Sequence, residues 1–484
     1  MLEPSYKQKQ STGLQWVFDE LHPVSAYGHE RLHALRPYAP EEREELEREL
    51  DAVARLLSAD VDMVGVFSQL RHGFVHVKNL RRTFVRCREV TLSEVELFEI
   101  KSFLLQLERA APLARRLEEE LGVQGTALDP CAGALALLDI DGRHTAAFSV
   151  SDRYSEALAA VRKEKRELEE EIRRLGRPGG DELQVRRTAV IAREEQEELA
   201  VRERLTEGLR AWMDALEENA DRIGRIDLLI EKARLARQWG GVRPELTGGT
   251  HICLRQMKNP YVAQAVQHSG GRFTPVDITL TGGATVITGA NMGGKSVALR
   301  TVVLNVVLTH MGFFPFAESA RIPMLDDVFL IAEDGQSIGQ GLSSFGAEIS
   351  SLGEALDAMR GRKCLLVLDE FARGTNPEEG GRIVRALVRY LNEQDCISLL
   401  ATHYDGAAQY AAGHYQVAGL RDVDTAQLKQ ALNVSGGGME VIQRTMDYRL
   451  LPVGAQESCP RDALTICRLL LPQRDLMEMI EQSY

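Results

Sequence analysis

Gly289-Ala290-Asn291-Met292-Gly293-Gly294-Lys295-Ser296 decides how this chain is read. It fits GxxxxGK[ST]. Ala284-Thr285-Val286-Ile287-Thr288 precedes it and reads as a strand; Val297 to Leu308 follows and reads as a helix. A strand, a glycine loop and a helix in that order make a phosphate cradle. The glycines let the backbone curl so that successive N–H groups point at phosphate oxygens, and the helix N-terminus adds its positive end. Gly289, Ala290, Asn291, Met292, Gly293 and Gly294 are therefore expected to wrap the phosphates of a nucleotide. Lys295 is expected to reach the β- and γ-phosphates, and Ser296 to offer its hydroxyl to Mg²⁺, which keeps water and phosphate as most of its ligands. A plain glycine turn between strand and helix does not account for a lysine directly after Gly294.

Downstream, Cys364-Leu365-Leu366-Val367-Leu368-Asp369-Glu370 is a continuous apolar run ending in two carboxylates. Such a run reads as a buried parallel strand, and ligands of open α/β sheets bind at the carboxyl ends of strands. Asp369 is expected to hold Mg²⁺ through water and Glu370 to polarise the attacking water, because phosphoryl transfer needs little beyond positioning, a metal and charge stabilisation. Acidic residues ending a strand often serve only to solvate a loop, but their pairing with a glycine loop about seventy residues upstream makes chance a poor explanation. A third strand, Ile397 to Thr402, ends at His403. His403 reads equally well as a satisfied structural residue or as a hydrogen-bonding partner of water or the γ-phosphate.

Around this core, short β-branched strands alternate with helices from Phe273 to about Val417, the pattern of a parallel α/β domain. The preceding chain reads as helix. Leu46, Leu50, Val53 and Leu57 form one stripe, and Leu97, Ile100, Leu104, Leu107 and Leu117 another. Between them Arg71, Lys78, Arg81, Arg82, Arg86 and Arg88 form a basic stretch, read as a solvated face or as a contact to phosphate or an acidic partner. Residues 151–222 read as an antiparallel helical hairpin broken at Gly176-Arg177-Pro178-Gly179-Gly180, with Asp181 capping the second helix. Its apolar face is too small for a core element, so it is expected to project, carrying Arg173, Arg174, Arg177, Arg186 and Arg187 at its tip. Residues 223–260 read as helix and then loop, and 418–484 as helix with glycine-rich breaks.

Length and composition agree with a multidomain globular chain: 484 residues, 44% hydrophobic and 27% charged. The net charge of −13 supplies no global attraction to nucleic acid or anionic lipid, so any DNA contact needs a local basic patch. The seven cysteines are scattered without CxxC spacing, against zinc and thioredoxin-type readings. Free thiols, no signal peptide and no spanning segment lead to the expectation of a soluble, cytoplasmic protein without membrane association.

The glycine loop resembles the GPNMGGKS loop of MutS-type ATPases, with Ala290 in place of proline. Leu368-Asp369-Glu370 followed by Arg373-Gly374-Thr375-Asn376-Pro377-Glu378-Glu379-Gly380 resembles that family's DE…GTxxxxG block, and Ala401-Thr402-His403-Tyr404 its TTH motif. Asp334 to Ile338 and Leu342 to Phe345 resemble its DxQS and STF segment. Four motifs in order over about 160 residues are specific. Weaker resemblances lie at Ala26-Tyr27-Gly28, Asp139 to Gly142, Tyr448-Arg449-Leu450 and Pro460 to Ala463, and the wording from Gly374 to Gly380 leans toward the second MutS branch, the one not devoted to mismatch repair.

The resemblance implies an α/β P-loop NTPase of the ABC-like MutS type, preceded by an all-α lever domain with a projecting, clamp-like hairpin. It divides the chain into a helical core or lever domain (1–150 and 223–260), the arm (151–222), the ATPase domain (261–417) and a C-terminal helical dimerisation segment (418–484). It implies ATP and Mg²⁺ as ligands, Phe273 as the ring stacking on adenine, and a homodimer in which Ser343 contacts the partner's γ-phosphate. Mismatch-reading and Smr-type nuclease domains are expected to be lacking. Two functions follow: a DNA-associated ATPase of mismatch repair or recombination that clamps DNA through the arginine-tipped arm, or an ATP-driven factor that reactivates a protein partner such as an adenosylcobalamin-dependent aminomutase.

Overall fold

The computed structural model of the protein describes residues 4–174, 181–289, 294–332, 344–404, 406–419, 446–454, 464, 467 and 473–482. The chain forms two compact units, one of residues 22–34 and 58–231, the other of residues 1–21, 35–57 and 232–484. The first 150 residues are thus shared between the units instead of forming one helical piece.

The first unit is helical. Its central helix, Glu94–Glu119, starts at a reciprocal cap: Ser93 Oγ accepts from the Glu96 amide at 3.3 Å, and Glu96 Oε2 accepts from the Ser93 amide at 2.8 Å. Leu97, Ile100, Leu104, Leu107 and Leu117 are buried, as their spacing requires. Five of the six cations of the basic stretch are paired within this unit. Arg71 pairs with Glu231, Lys78 with Glu99, Arg81 with Glu30 and Asp221, Arg86 with Glu96, and Arg88 with Asp214 and Glu217.

Glu156–Arg174 and Asp181–Arg210 form the hairpin. Arg162 bonds Glu198, whereas Lys165, one turn on, bonds Glu194, one turn back, so the helices run antiparallel. Between them Val161, Leu168 and Val190 form a small buried cluster flanked by Ile172 and Leu183. Arg173, Arg174, Arg186 and Arg187 are exposed near the turn; Arg177 lies outside the described residues. The second helix stops at Arg210, and a new one runs from Met213 to Trp239.

The second unit carries the sheets. Its strands are β1 (Glu245–Thr247), β2 (Ile252–Met257), β3 (Val276–Leu280), β4 (Gly283–Thr288), β5 (Ser319–Pro323), β6 (Asp327–Ala332), β7 (Cys364–Asp369), β8 (Ile397–Ala401), β9 (Gly413–Gly419) and β10 (Asp447–Pro452). They form a four-stranded sheet ordered β1-β5-β2-β3 and a six-stranded sheet ordered β10-β9-β4-β8-β7-β6. In the larger sheet β10 alone is antiparallel. β4, β7 and β8 are buried at every position, which is why they read as apolar runs without alternation.

Two expectations fail here. Residues 223–260 are not helix and loop only, because β1 and β2 lie within them; Arg255 and Gln256 face solvent and break the apolar signal of β2. Residues 418–484 are not helical throughout, because β9 extends to Gly419 and residues 447–452 form an edge strand; only Leu450 of that strand is buried, so little alternation shows. Arg474–Gln482 is helical as expected.

The helix Lys295–His310 is packed on nearly every side, so its residues are apolar all round and its polar ones are bonded internally. His310 lies fully buried between the Val306 carbonyl at 2.9 Å from Nδ1 and the Leu325 amide, which donates to Nε2 at 3.0 Å. That pair of partners requires the neutral ring protonated on Nδ1.

Candidate functional site

The parallel register brings three strand ends to one edge. Ala401 of β8 lies opposite Ile287 of β4 on one side and Asp369 of β7 on the other. The chain then leaves the sheet at Gly289, Glu370 and Thr402-His403, side by side, at the carboxyl edge where open α/β sheets take ligands.

Gly289 has φ 140° and Gly294 φ 78°, both reserved for glycine. A Cβ on Gly294 would lie 2.9 Å from the ring of Tyr448, and one on Gly289 would lie 3.1 Å from Val417 Cβ. Lys295 is buried; its Nζ donates to the Gly289 carbonyl at 2.7 Å and lies 3.7 Å from Glu370 Oε1. The lysine thus reaches back across the mouth of the glycine loop. Ser296 Oγ donates to Asp369 Oδ1 at 2.8 Å. Burial pushes the Asp369 carboxyl above the ordinary aspartate range, against the Ser296 hydrogen bond and the guanidinium of Arg300, which stands 3.7 Å from Oδ2. Hydroxyl and carboxylate together form an oxygen donor pair of the kind hard divalent cations take.

Glu370 sits just beyond β7 at φ 50°, and its Oε2 accepts from Arg373 Nη1 at 2.8 Å. His403 is exposed at the next strand end. Partial desolvation lowers its pKa below the usual histidine value, Lys295 and Arg373 act in the same sense, and Glu370 opposes them. The ring is therefore neutral near pH 7.

Gly294, Lys295, Ser296 and Glu370 line a cavity of about 680 Å³, together with the apolar side chains of Phe273, Tyr448 and Val266. Lys295, Ser296, Asp369, Glu370, His403, Gly289, Gly294 and Phe273 are thus all placed at or around one site. Ala290, Asn291, Met292, Gly293 and Ser343 lie outside the described residues, as do Asp334 to Ile338.

Sequence reasoning does not place Arg300 or Tyr448 at the site, and Tyr448 enters it only as part of a weak resemblance. Arg300 follows Ser296 by four residues, one helical turn, and that spacing was the available signal. For Tyr448 the signal is the resemblance at Tyr448-Arg449-Leu450, which names no role for the ring, and the reading of 418–484 as helix conceals its strand.

Residues 285–435 match the family described as MutS domain V. The DNA mismatch repair protein MutS of Natronomonas pharaonis is 32% identical over 267 residues, 52% of this chain and 30% of that protein. MutS of Aquifex pyrophilus is 34% identical over 195 residues, 40% of this chain and 22% of that protein. Endonuclease MutS2 of Lactobacillus helveticus is 28% identical over 349 residues, 65% of this chain and 44% of that protein. The chain therefore spans less than half the length of each of these relatives. With a matching domain V on an α/β sheet and the matching motifs gathered at one strand edge, the comparisons support membership of the MutS family, carried by residues 285–435.

Proposed function

We propose that this chain binds MgATP in the cavity and hydrolyses it, as a P-loop NTPase preceded by a helical lever domain. The observation that carries the reading is the meeting of Ser296 with Asp369 and of Lys295 with Glu370 beside a cavity that Phe273 and Tyr448 also line. An ammonium and a hydroxyl suit a triphosphate, carboxylates suit the cation it carries, and aromatic side chains suit a base.

Ser296 and Asp369 would hold Mg²⁺, which when bound neutralises charge on the phosphate oxygens. Lys295 exchanges the Gly289 carbonyl for β- and γ-phosphate oxygens. The amides of Gly289 to Gly294 wrap the phosphates, and Phe273 stacks on the adenine. Glu370 orients the attacking water and accepts its proton on a carboxylate oxygen. The neutral His403 hydrogen-bonds that water or the γ-phosphate.

The resemblance to MutS domain V supports a dimer in which Ser343 completes the partner's site, with 418–484 contributing to the contact and the helical unit of residues 22–34 and 58–231 acting as the lever. It also supports DNA as the substrate of the arm at 151–222, since relatives bear the name of DNA mismatch repair proteins. No observation favours the aminomutase-reactivating reading. Among the described residues no helix is long and apolar enough to cross a membrane; the free thiols fit a cytoplasmic location.

The test is ATP turnover by the whole chain, with and without duplex or branched DNA, beside Lys295→Ala. Turnover stimulated by DNA and abolished by the substitution is expected. Undiminished turnover in Lys295→Ala would sink the assignment of the site.

A further inference from the structure

The backbone that carries Glu370 is bent in a way its sequence does not favour. Glu370 has φ 50° and Ala372 has φ 64°, and neither is glycine. Side-chain-bearing residues avoid this region because Cβ crowds the following carbonyl. Two such residues within three positions persist only when the surroundings hold them.

Three hydrogen bonds do so. The Glu370 amide donates to the Ala401 carbonyl at 3.1 Å. The Ala372 amide donates to Glu348 Oε2 at 2.9 Å. The Tyr404 hydroxyl donates to the Ala372 carbonyl at 2.7 Å. Glu348 projects from the helix Ser344–Ala358, and Tyr404 follows β8, so the grip comes from two separate elements. Both side chains are buried, with 8% and 7% exposure, which leaves little room for water to replace them. Gly380 admits the arrangement, since a Cβ there would collide with the Tyr404 hydroxyl.

We infer that Glu348 and Tyr404 are positioning residues for Glu370. They hold the amide and carbonyl of Ala372, keep the bend in place, and so aim the Glu370 carboxylate toward Lys295. Without them the two left-handed residues relax to ordinary φ values, and the Glu370 side chain swings with its backbone. The inference rests on the assignment of Glu370 as the water-orienting carboxylate.

The experiment compares the full chain with Glu348→Ala, Glu348→Gln, Tyr404→Phe and Glu370→Ala. The readouts are kcat and KM for MgATP, affinity for a non-hydrolysable ATP analogue, thermal melting, and hydrogen exchange across residues 369–373. Glu348→Ala is expected to lower kcat by about 10²-fold, the usual consequence of misplacing a catalytic group, with analogue affinity unchanged and faster exchange of the segment. Glu348→Gln retains an oxygen acceptor and recovers most of the loss; Tyr404→Phe falls between. Unchanged kcat in Glu348→Ala overturns the inference. So does loss of kcat, analogue affinity and melting temperature together in Glu348→Ala and Glu348→Gln alike, which would mark a merely structural contact. Undiminished kcat in Glu370→Ala would instead overturn the assignment of Glu370, and the inference with it.

Discussion

Ser296 Oγ and Asp369 Oδ1, 73 residues apart in the chain, are joined by a 2.8 Å hydrogen bond. This contact ties the start of the helix after the glycine loop to the end of β7. Ser296→Ala removes a group that favours the ionised carboxyl of Asp369, while burial continues to disfavour it. Half-saturation of turnover by Mg²⁺ should therefore move to higher metal concentration, and the more so at low pH, because a metal-binding carboxylate must be deprotonated. A magnesium titration at two pH values measures it; an unshifted curve would remove Ser296 and Asp369 from the metal site.

Phe273 and Tyr448 reach one cavity from separate parts of the chain. If both flank the base, Phe273→Ala and Tyr448→Ala each raise KM for ATP more than they lower kcat, by about ten-fold for a stacking contact of about 1–1.5 kcal/mol. Lower melting temperature without a selective effect on KM would make them packing residues only.

His310 supplies a pH-dependent term in stability. Burial lowers its folded pKa below the ordinary histidine value of 6.5. As pH falls below 6.5 the unfolded chain binds a proton that the folded one refuses, so stability conferred by the neutral ring is present above that pH and lost below it. The loss approaches about 1.4 kcal/mol per pH unit. Melting curves from pH 7.5 to 5 should show a slope that is shallower by this one proton in His310→Gln, whatever that variant's stability at neutral pH.

Arg173, Arg174, Arg186 and Arg187 are exposed on the hairpin. If they touch DNA phosphates, neutralising all four weakens binding and flattens the log–log salt dependence by about 0.9 per lost contact. An unchanged slope would remove the hairpin from the DNA-binding surface. The paired cations from Arg71 to Arg88 are the contrasting set, since their charge is already answered within the protein.

Much of this was legible because burial on both faces leaves a plain mark. β4, β7 and β8 are short apolar runs, and each ends at the residues that carry the proposed chemistry. The leucine stripe of Glu94–Glu119 was legible for the same reason. β2 and β10 were not, because solvent-facing Arg255, Gln256 and Arg449 interrupt their apolar pattern. Missing β10 also hid that Tyr448, quoted only for a resemblance, lies against Gly294. The basic stretch at Arg71 to Arg88 had two readings because its partners, Glu30, Asp214, Glu217 and Asp221 among them, are distant in sequence. The same distance conceals Glu348, whose meaning appears only beside Ala372.

The bend at Glu370 and Ala372 also bears on how this protein could be made sturdier. Ala372→Gly would relieve a left-handed residue by about 1 kcal/mol, but it would remove a fully buried methyl and loosen the unfolded chain, which offsets the relief. A laboratory screen rewarding heat resistance alone would gain little there, so the bend would persist in the proteins it gathered.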